Sequence, residues 1–160
     1  MLYQPEEPPP KNVDPEYGSF GKVMREMEHE RCGIDRLVSN RRLYVDALAS
    51  ADRGSPLLRQ DIARLESVYS VGRNMVLREV LGQAPQGWSA VTKTLCTEFE
   101  QRVADFCVKV AGADALTWNR VSRGICYAPA YTLMGGTTQV LRNIIGERML
   151  GLPREPRPSL

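Results

Sequence analysis

Among 160 residues there is a single histidine, His29, and that scarcity closes several routes to function at once. Zinc sites built from several imidazoles need more than one per chain. A four-helix di-metal site needs a Glu-x-x-His pair on each of two helices. A Ser–His–Asp triad would have to use His29, which Glu28 and Glu30 flank in a mid-helix setting that argues against the role. Cysteine is also sparse. Cys32, Cys96, Cys107 and Cys126 lie 64, 11 and 19 positions apart, so no pair has the two-residue gap of a zinc knuckle or redox motif. Three of them sit among apolar residues, and buried, reduced thiols are the expectation. Charge of one sign is missing too: 21 Lys and Arg oppose 19 Asp and Glu, a net +2. That balance predicts no nucleic-acid partner. No apolar run approaches the roughly 18 residues of a membrane span. The stretch from Met1 to Gly18 has no charged-then-apolar signal pattern, so a cytoplasmic location is expected.

What is present is an ordinary globular composition, 42% hydrophobic and 25% charged, on a chain sized for one core. Pro5, Pro8, Pro9, Pro10 and Pro15 make residues 1–17 an extended lead-in, because proline fixes φ and lacks a donor. Gly151, Pro153, Pro156 and Pro158 predict a short tail over 153–160. Between them, residues 18–152 read as one helical domain. Phe20, Val23, Met27, Ile34, Leu37, Val38, Val45 and Leu48 predict one long helix over about 19–51. Ser55-Pro56 reads as the cap and first turn of a second, carrying Ile62, Leu65, Tyr69, Val76 and Val80 and closed by Gly82. Ser89 is the expected cap of a third, with Val91, Leu95, Phe99, Val103, Phe106 and Val110 on its apolar face and Gly112 at its end. A short helix interrupted at Pro129 follows. After Gly135-Gly136, residues Val140, Leu141, Ile144, Ile145 and Met149 mark a last amphipathic helix. No segment alternates like a strand. The expected fold is all-α, an antiparallel four-helix-type bundle.

The stretch from Met134 to Pro153, M-G-G-T-T-Q-V-L-R-N-I-I-G-E-R-M-L-G-L-P, followed by Arg154, resembles the C-terminal signature of the acyl-CoA dehydrogenase family. Arg59-Gln60-Asp61-Ile62-Ala63 resembles the start of that family's second long C-terminal helix, and Lys93 to Val110 the following one. The resemblance runs over about residues 18–155 and covers the family's C-terminal helical domain, without its N-terminal helical and middle β-domains. It implies a flavoprotein that removes a proton from the α-carbon of an acyl-CoA thioester while a hydride passes from the β-carbon to FAD. A carboxylate must take the proton, and desolvation tunes it for that task. Donors must face the thioester oxygen, where negative charge develops.

Family members place the base either just before the Gly-Thr of the last motif or on the first long helix, before an arginine. The first position here is Gly135, which has no side chain to act. The second is Glu30, followed by Arg31, and Glu30 is the expected base. Taken by itself, Glu28 with Arg31 also reads as a plain i,i+3 surface pair. The resemblance further assigns Gly135 and Gly136 to the thioester oxygen, Thr137, Thr138 and Gln139 to FAD, and Arg31 to part of the CoA. A glycine turn and a helix cap are the plainer readings of those residues. The family's arginine–phenylalanine segment is shortened here to Ala51–Pro56, and its glycine-rich flavin loop retains only Gly112. The implied partners are an acyl-CoA substrate, electron-transfer flavoprotein as electron acceptor, and a homo- or hetero-oligomer packed through the bundle, with activity needing the other domains. The competing expectation is a helical oligomerisation module or split-gene fragment without chemistry of its own.

Overall fold

Local chemistry sets most of the helix ends in the computed structural model, which describes residues 23, 26 and 34–154. Among the described residues every regular element is helical and no strand occurs. Helix α1 spans Ile34–Val38, α2 Arg41–Ser50, and α3 Pro56–Val80. Ser55 is extended and its hydroxyl accepts from the Leu58 N–H at 3.5 Å, while Pro56 fills the first helical position, where no donor is needed. The far end of α3 is a Schellman motif. Gly82 takes φ +66°, its N–H returns to Glu79 at 3.0 Å, and Gln83 N–H returns to Arg78 at 2.9 Å.

The expected single helix over 19–51 is instead broken at Ser39-Asn40, and its portion over 19–33 lies outside the described residues except at Val23 and Glu26, both helical. The cause is tertiary. Asn40 is buried and turns its amide toward the Glu100 carbonyl, 3.4 Å away, while the Ser39 hydroxyl bonds back to Asp35. Such side-chain bonds compete with the helical ladder.

Helix α4, Trp88–Ala111, begins two residues earlier than expected, because Gly87 rather than Ser89 is the cap, at φ +82°. Trp88 is anchored there by its indole N–H on the Met75 carbonyl at 3.3 Å. Gly112 ends α4 as predicted, and a 3₁₀ turn over Gly112–Leu116 leads to α5, Arg120–Tyr131. Asn119 and Ser122 form a reciprocal capping box at its start. Pro129 does not interrupt the helix: it sits in the last turn, and its carbonyl accepts from the Thr132 N–H at 3.3 Å. The last helix is shorter than its pattern. Helix α6 spans Thr138–Ile144 and widens into a π turn at Ile145–Met149. Leu141 is fully buried there, whereas Val140, expected on the same face, is exposed.

Helix α4 is the hub, packing against α1, α2, α3, α5 and α6. Leu37, Leu43, Tyr44, Leu65 and Val76 close on Cys96, Phe99, Val103, Phe106 and Cys107 of α4. Each large apolar side chain so buried contributes about 1.5–3 kcal/mol. Tyr44 packs on Phe106 at 5.7 Å and Tyr69 on Phe99 at 6.0 Å between ring centroids. Two of the described cysteines meet expectation, Cys96 and Cys107 being buried; Cys126 is exposed. Burial pushes the Cys107 thiol up to about 12, so it stays protonated.

Because α4 is enclosed on several sides, its polar residues are buried as well. Thr92, Lys93, Thr97 and Glu100 are all nearly or fully inaccessible. Neither carboxyl oxygen of Glu100 has a hydrogen-bond partner among the described residues. Desolvation raises this carboxyl from 4.5 to about 8, and the nearby Asn40 N–H pulls it down by less. Between about pH 5 and pH 8 the folded chain therefore keeps a proton that the unfolded chain has released. Stability must fall as pH rises through that window and level off above it. Glu100→Gln should raise stability at pH 8 by on the order of 2–4 kcal/mol and flatten the decline. Urea denaturation of both chains at pH 5, 7 and 8 checks this; parallel pH profiles would contradict it.

Candidate functional site

Helix α5 gives way to α6 through a turn whose shape depends on two glycines. The N–H groups of Leu133 and Met134 both return to the Ala130 carbonyl, at 3.0 and 2.9 Å. The chain then enters the left-handed region at Gly135, φ +66°, and Gly136, φ +100°. Space is not what demands glycine at the first of these. A Cβ on Gly135 would meet Lys93 Cε at 3.5 Å, an ordinary contact, so the backbone angle is the constraint.

Lys93 reaches this turn from α4. It is 1% exposed, and its Nζ donates to the Gly136 carbonyl. The ammonium group of the central helix thus pins the turn to the core. No backbone hydrogen bond from the Gly136 N–H forms among the described residues. Sequence reasoning did not single out Lys93. Its signal was the polar stripe Lys93, Thr97, Glu100 at helical spacing, a pattern that ordinarily marks a solvated face.

Thr137 caps α6, its hydroxyl accepting from the Val140 N–H at 3.2 Å. Thr138 is buried; its N–H donates to the Thr132 carbonyl at 3.0 Å, and its hydroxyl to the Gln139 side-chain oxygen at 3.3 Å. Gln139 is exposed. Both line an open polar cleft of about 370 Å³, shared with Thr132 and Gln101, which are joined at 3.0 Å, and with the Glu98–Arg142 ion pair. The turn at Gly135 and Gly136 and the residues Thr137, Thr138 and Gln139 are therefore contiguous, with Thr138 and Gln139 on the cleft itself. Glu30 and Arg31, the expected base and its neighbour, lie outside the described residues. No group of His, Cys, Asp and Glu suited to a metal occurs among the described residues. Nor is any described helix long and apolar enough to cross a membrane.

Residues 20–150 match the family model described as acyl-CoA dehydrogenase, C-terminal domain. The chain is 33% identical over 133 residues to acyl-CoA dehydrogenase FadE34 of Mycobacterium tuberculosis, a match covering 83% of this chain and 16% of that protein. Acyl-CoA dehydrogenase IpdE1 of the same organism is 30% identical over 119 residues, covering 68% of this chain and 30% of its own length. The chain thus spans less than a third of these curated relatives. Among solved structures, glutaryl-coenzyme A dehydrogenase in complex with glutaryl-CoA superposes with a TM-score of 0.73 at 17% identity, over 89% of this chain and 41% of that one. The steroid ACAD Tcur3481-Tcur3483 gives a TM-score of 0.72 at 22% identity, over 86% of this chain and 41% of that one. The likeness is one of fold, and it falls on the same all-helical portion. On the family match and on this architecture, the chain belongs to the acyl-CoA dehydrogenase family, of which it carries the C-terminal helical domain.

Proposed function

We propose that the chain supplies the C-terminal half of an acyl-CoA dehydrogenase site, where an acyl-CoA thioester loses a proton from its α-carbon to Glu30. The observation that carries this reading is the Gly135–Gly136 turn, held by Lys93 with the Gly136 N–H uncommitted among the described residues. An N–H held by the protein core is a preorganised donor for an oxygen that gains negative charge as the α-proton leaves. Gly135 and Gly136 are the residues proposed to face the thioester oxygen, and Arg31 part of the CoA. The absence of a side chain at Gly135 fits a base supplied from another helix.

The polar cleft beside the turn fits a flavin cofactor through its donor set. Thr137, Thr138 and Gln139 offer hydroxyl and amide groups for the polar part of FAD. When bound, FAD supplies the hydride acceptor that no side chain of this chain can provide. Thr138 is oriented for the task by its backbone bond to Thr132, and Glu98 holds Arg142 at the rim.

The chain's share of its relatives' length makes further polypeptide a requirement of this reading. One neighbour with a TM-score of 0.64 is the ChsE4-ChsE5 complex of Mycobacterium tuberculosis, an assembly of two named components. It supports a homo- or hetero-oligomer built through this helical domain, with electron-transfer flavoprotein reoxidising the assembled enzyme. The same short span favours a second reading, a helical oligomerisation module with no chemistry of its own.

Three outcomes are expected. The isolated chain purifies colourless, because half a flavin site does not offset the entropy of binding; a yellow preparation releasing FAD would contradict this. Assembled with a polypeptide supplying the family's other domains, the chain supports acyl-CoA-dependent flavin reduction, and Glu30→Gln lowers kcat by about 100-fold or more. An unchanged rate removes Glu30 as base, and no reduction by the wild-type assembly favours the second reading. Lys93→Met leaves the Gly136 carbonyl without its donor and destabilises the chain by about 1–3 kcal/mol in urea melts, while Gly135→Ala costs about 1–2 kcal/mol through backbone angle alone.

A further inference from the structure

A second cleft, larger than the first, lies away from the glycine turn. It is open, about 820 Å³ in volume, and sits between the α1–α2 break and the start of α5. Its volume falls in the range of small-molecule sites, roughly 300–1,000 Å³. Three guanidinium groups line it, Arg42 from α2 and Arg120 and Arg123 from α5, and no carboxylate does. Asp46, set at its edge, bonds Arg42 Nε at 3.1 Å and Arg120 Nη1 at 2.7 Å. One carboxylate thereby fixes two of the cations and leaves an excess of two positive charges. Arg123 forms no ion pair among the described residues.

The aromatic residues of the same cleft are unusual in their exposure. Trp118 is 86% exposed, and Tyr127 is 52% exposed while resting edge-on against the buried Tyr131 at 5.1 Å. A large indole left in water contributes nothing to this domain's core. Guanidinium forks match phosphate oxygens in geometry and charge, and an indole face suits a planar base. Asn40, its amide turned to the Glu100 carbonyl, also lines the cleft.

From this combination we infer that the cleft binds a nucleoside phosphate, with Arg123, Arg120 and Arg42 on the phosphate groups and Trp118 on the base. The site shares no lining residue with the cleft at Thr138 and Gln139, so it stands or falls independently of the dehydrogenase reading. The ligand chemistry has two sources, a free nucleotide or the nucleotide portion of a larger cofactor or thioester carrier.

Titration of the full 160-residue chain with ADP, inorganic pyrophosphate, FAD and coenzyme A tests the inference, read by calorimetry and by Trp fluorescence. Expected are saturable ADP and pyrophosphate binding, weaker for pyrophosphate, and quenching that disappears in Trp118→Phe but not in Trp88→Phe. Arg123→Ala should weaken ADP at least tenfold, Arg64→Ala, a surface cation that lines neither cleft, should leave it unchanged, and far-UV circular dichroism should show both variants folded. FAD or coenzyme A binding tenfold tighter than ADP, with the same Arg123 dependence, assigns the site to a carrier's nucleotide portion; equal or weaker binding assigns it to a free nucleotide. No saturable binding by any of the four, or binding indifferent to Arg123→Ala, overturns the inference.

Discussion

The hydrogen bond from Lys93 to the Gly136 carbonyl joins the two parts of this domain that matter most, its central helix and its glycine turn. Lys93 is inaccessible, and its donor meets a carbonyl 43 residues further along the chain. A buried cation is tolerated only where polar groups receive it, so the turn and the helix constrain one another. Once the Gly136 carbonyl is turned toward the core, the turn's path into Thr137 and α6 follows. Thr138 then sinks against Thr132, and Gln139 comes to the rim of the polar cleft. The contiguity of Gly135 through Gln139 as a surface for ligands rests on that anchor together with the bonds of Leu133, Met134 and Thr138 on either side of it.

The same helix carries a second buried polar group with a different consequence. Glu100 lies two turns from Lys93 on α4, beside the Asn40 break, and its carboxyl has no hydrogen-bond partner among the described residues. Burial keeps it protonated near neutral pH. Its influence reaches Tyr131, whose hydroxyl pKa is raised chiefly by burial and further by Glu100 and Tyr127. Arg36, 5.9 Å over the Tyr131 ring, acts in the opposite sense. Lys93 and Glu100 thus represent two solutions to burying polarity on a hub helix: one is satisfied by a carbonyl, the other by keeping its proton.

Charge on the surface is divided between local neutralisation and local excess. Asp61 takes Lys109 at 2.8 Å and Arg64 at 3.8 Å, and Glu98 takes Arg142. Such exposed pairs contribute little individually. Around Trp118 the cations outnumber their partner, and that imbalance is local rather than global, since the whole chain carries only +2. Net charge is therefore silent about it.

Much of the helical plan was legible because its signals are local. Ser55-Pro56, Gly82 and Gly112 act on their own turns, and the spacing of Leu65, Val76, Phe99, Val103 and Phe106 marks faces that do pack inward. The Met134–Pro153 motif identified the family for the same reason: its information is carried in consecutive residues. Other features depended on contacts between distant residues. The break at Ser39-Asn40 arises from a carbonyl 60 residues away, and the start of α4 from Trp88 docking on Met75. Burial of Lys93, Thr97 and Glu100 could not be inferred from a helix of one-sided pattern, because only the assembled neighbours enclose its polar side. Sequence determined where helices could begin and end and which family they serve; the tertiary structure decided which polar groups left water, since desolvation depends on every element packed around a residue and not on the residue itself.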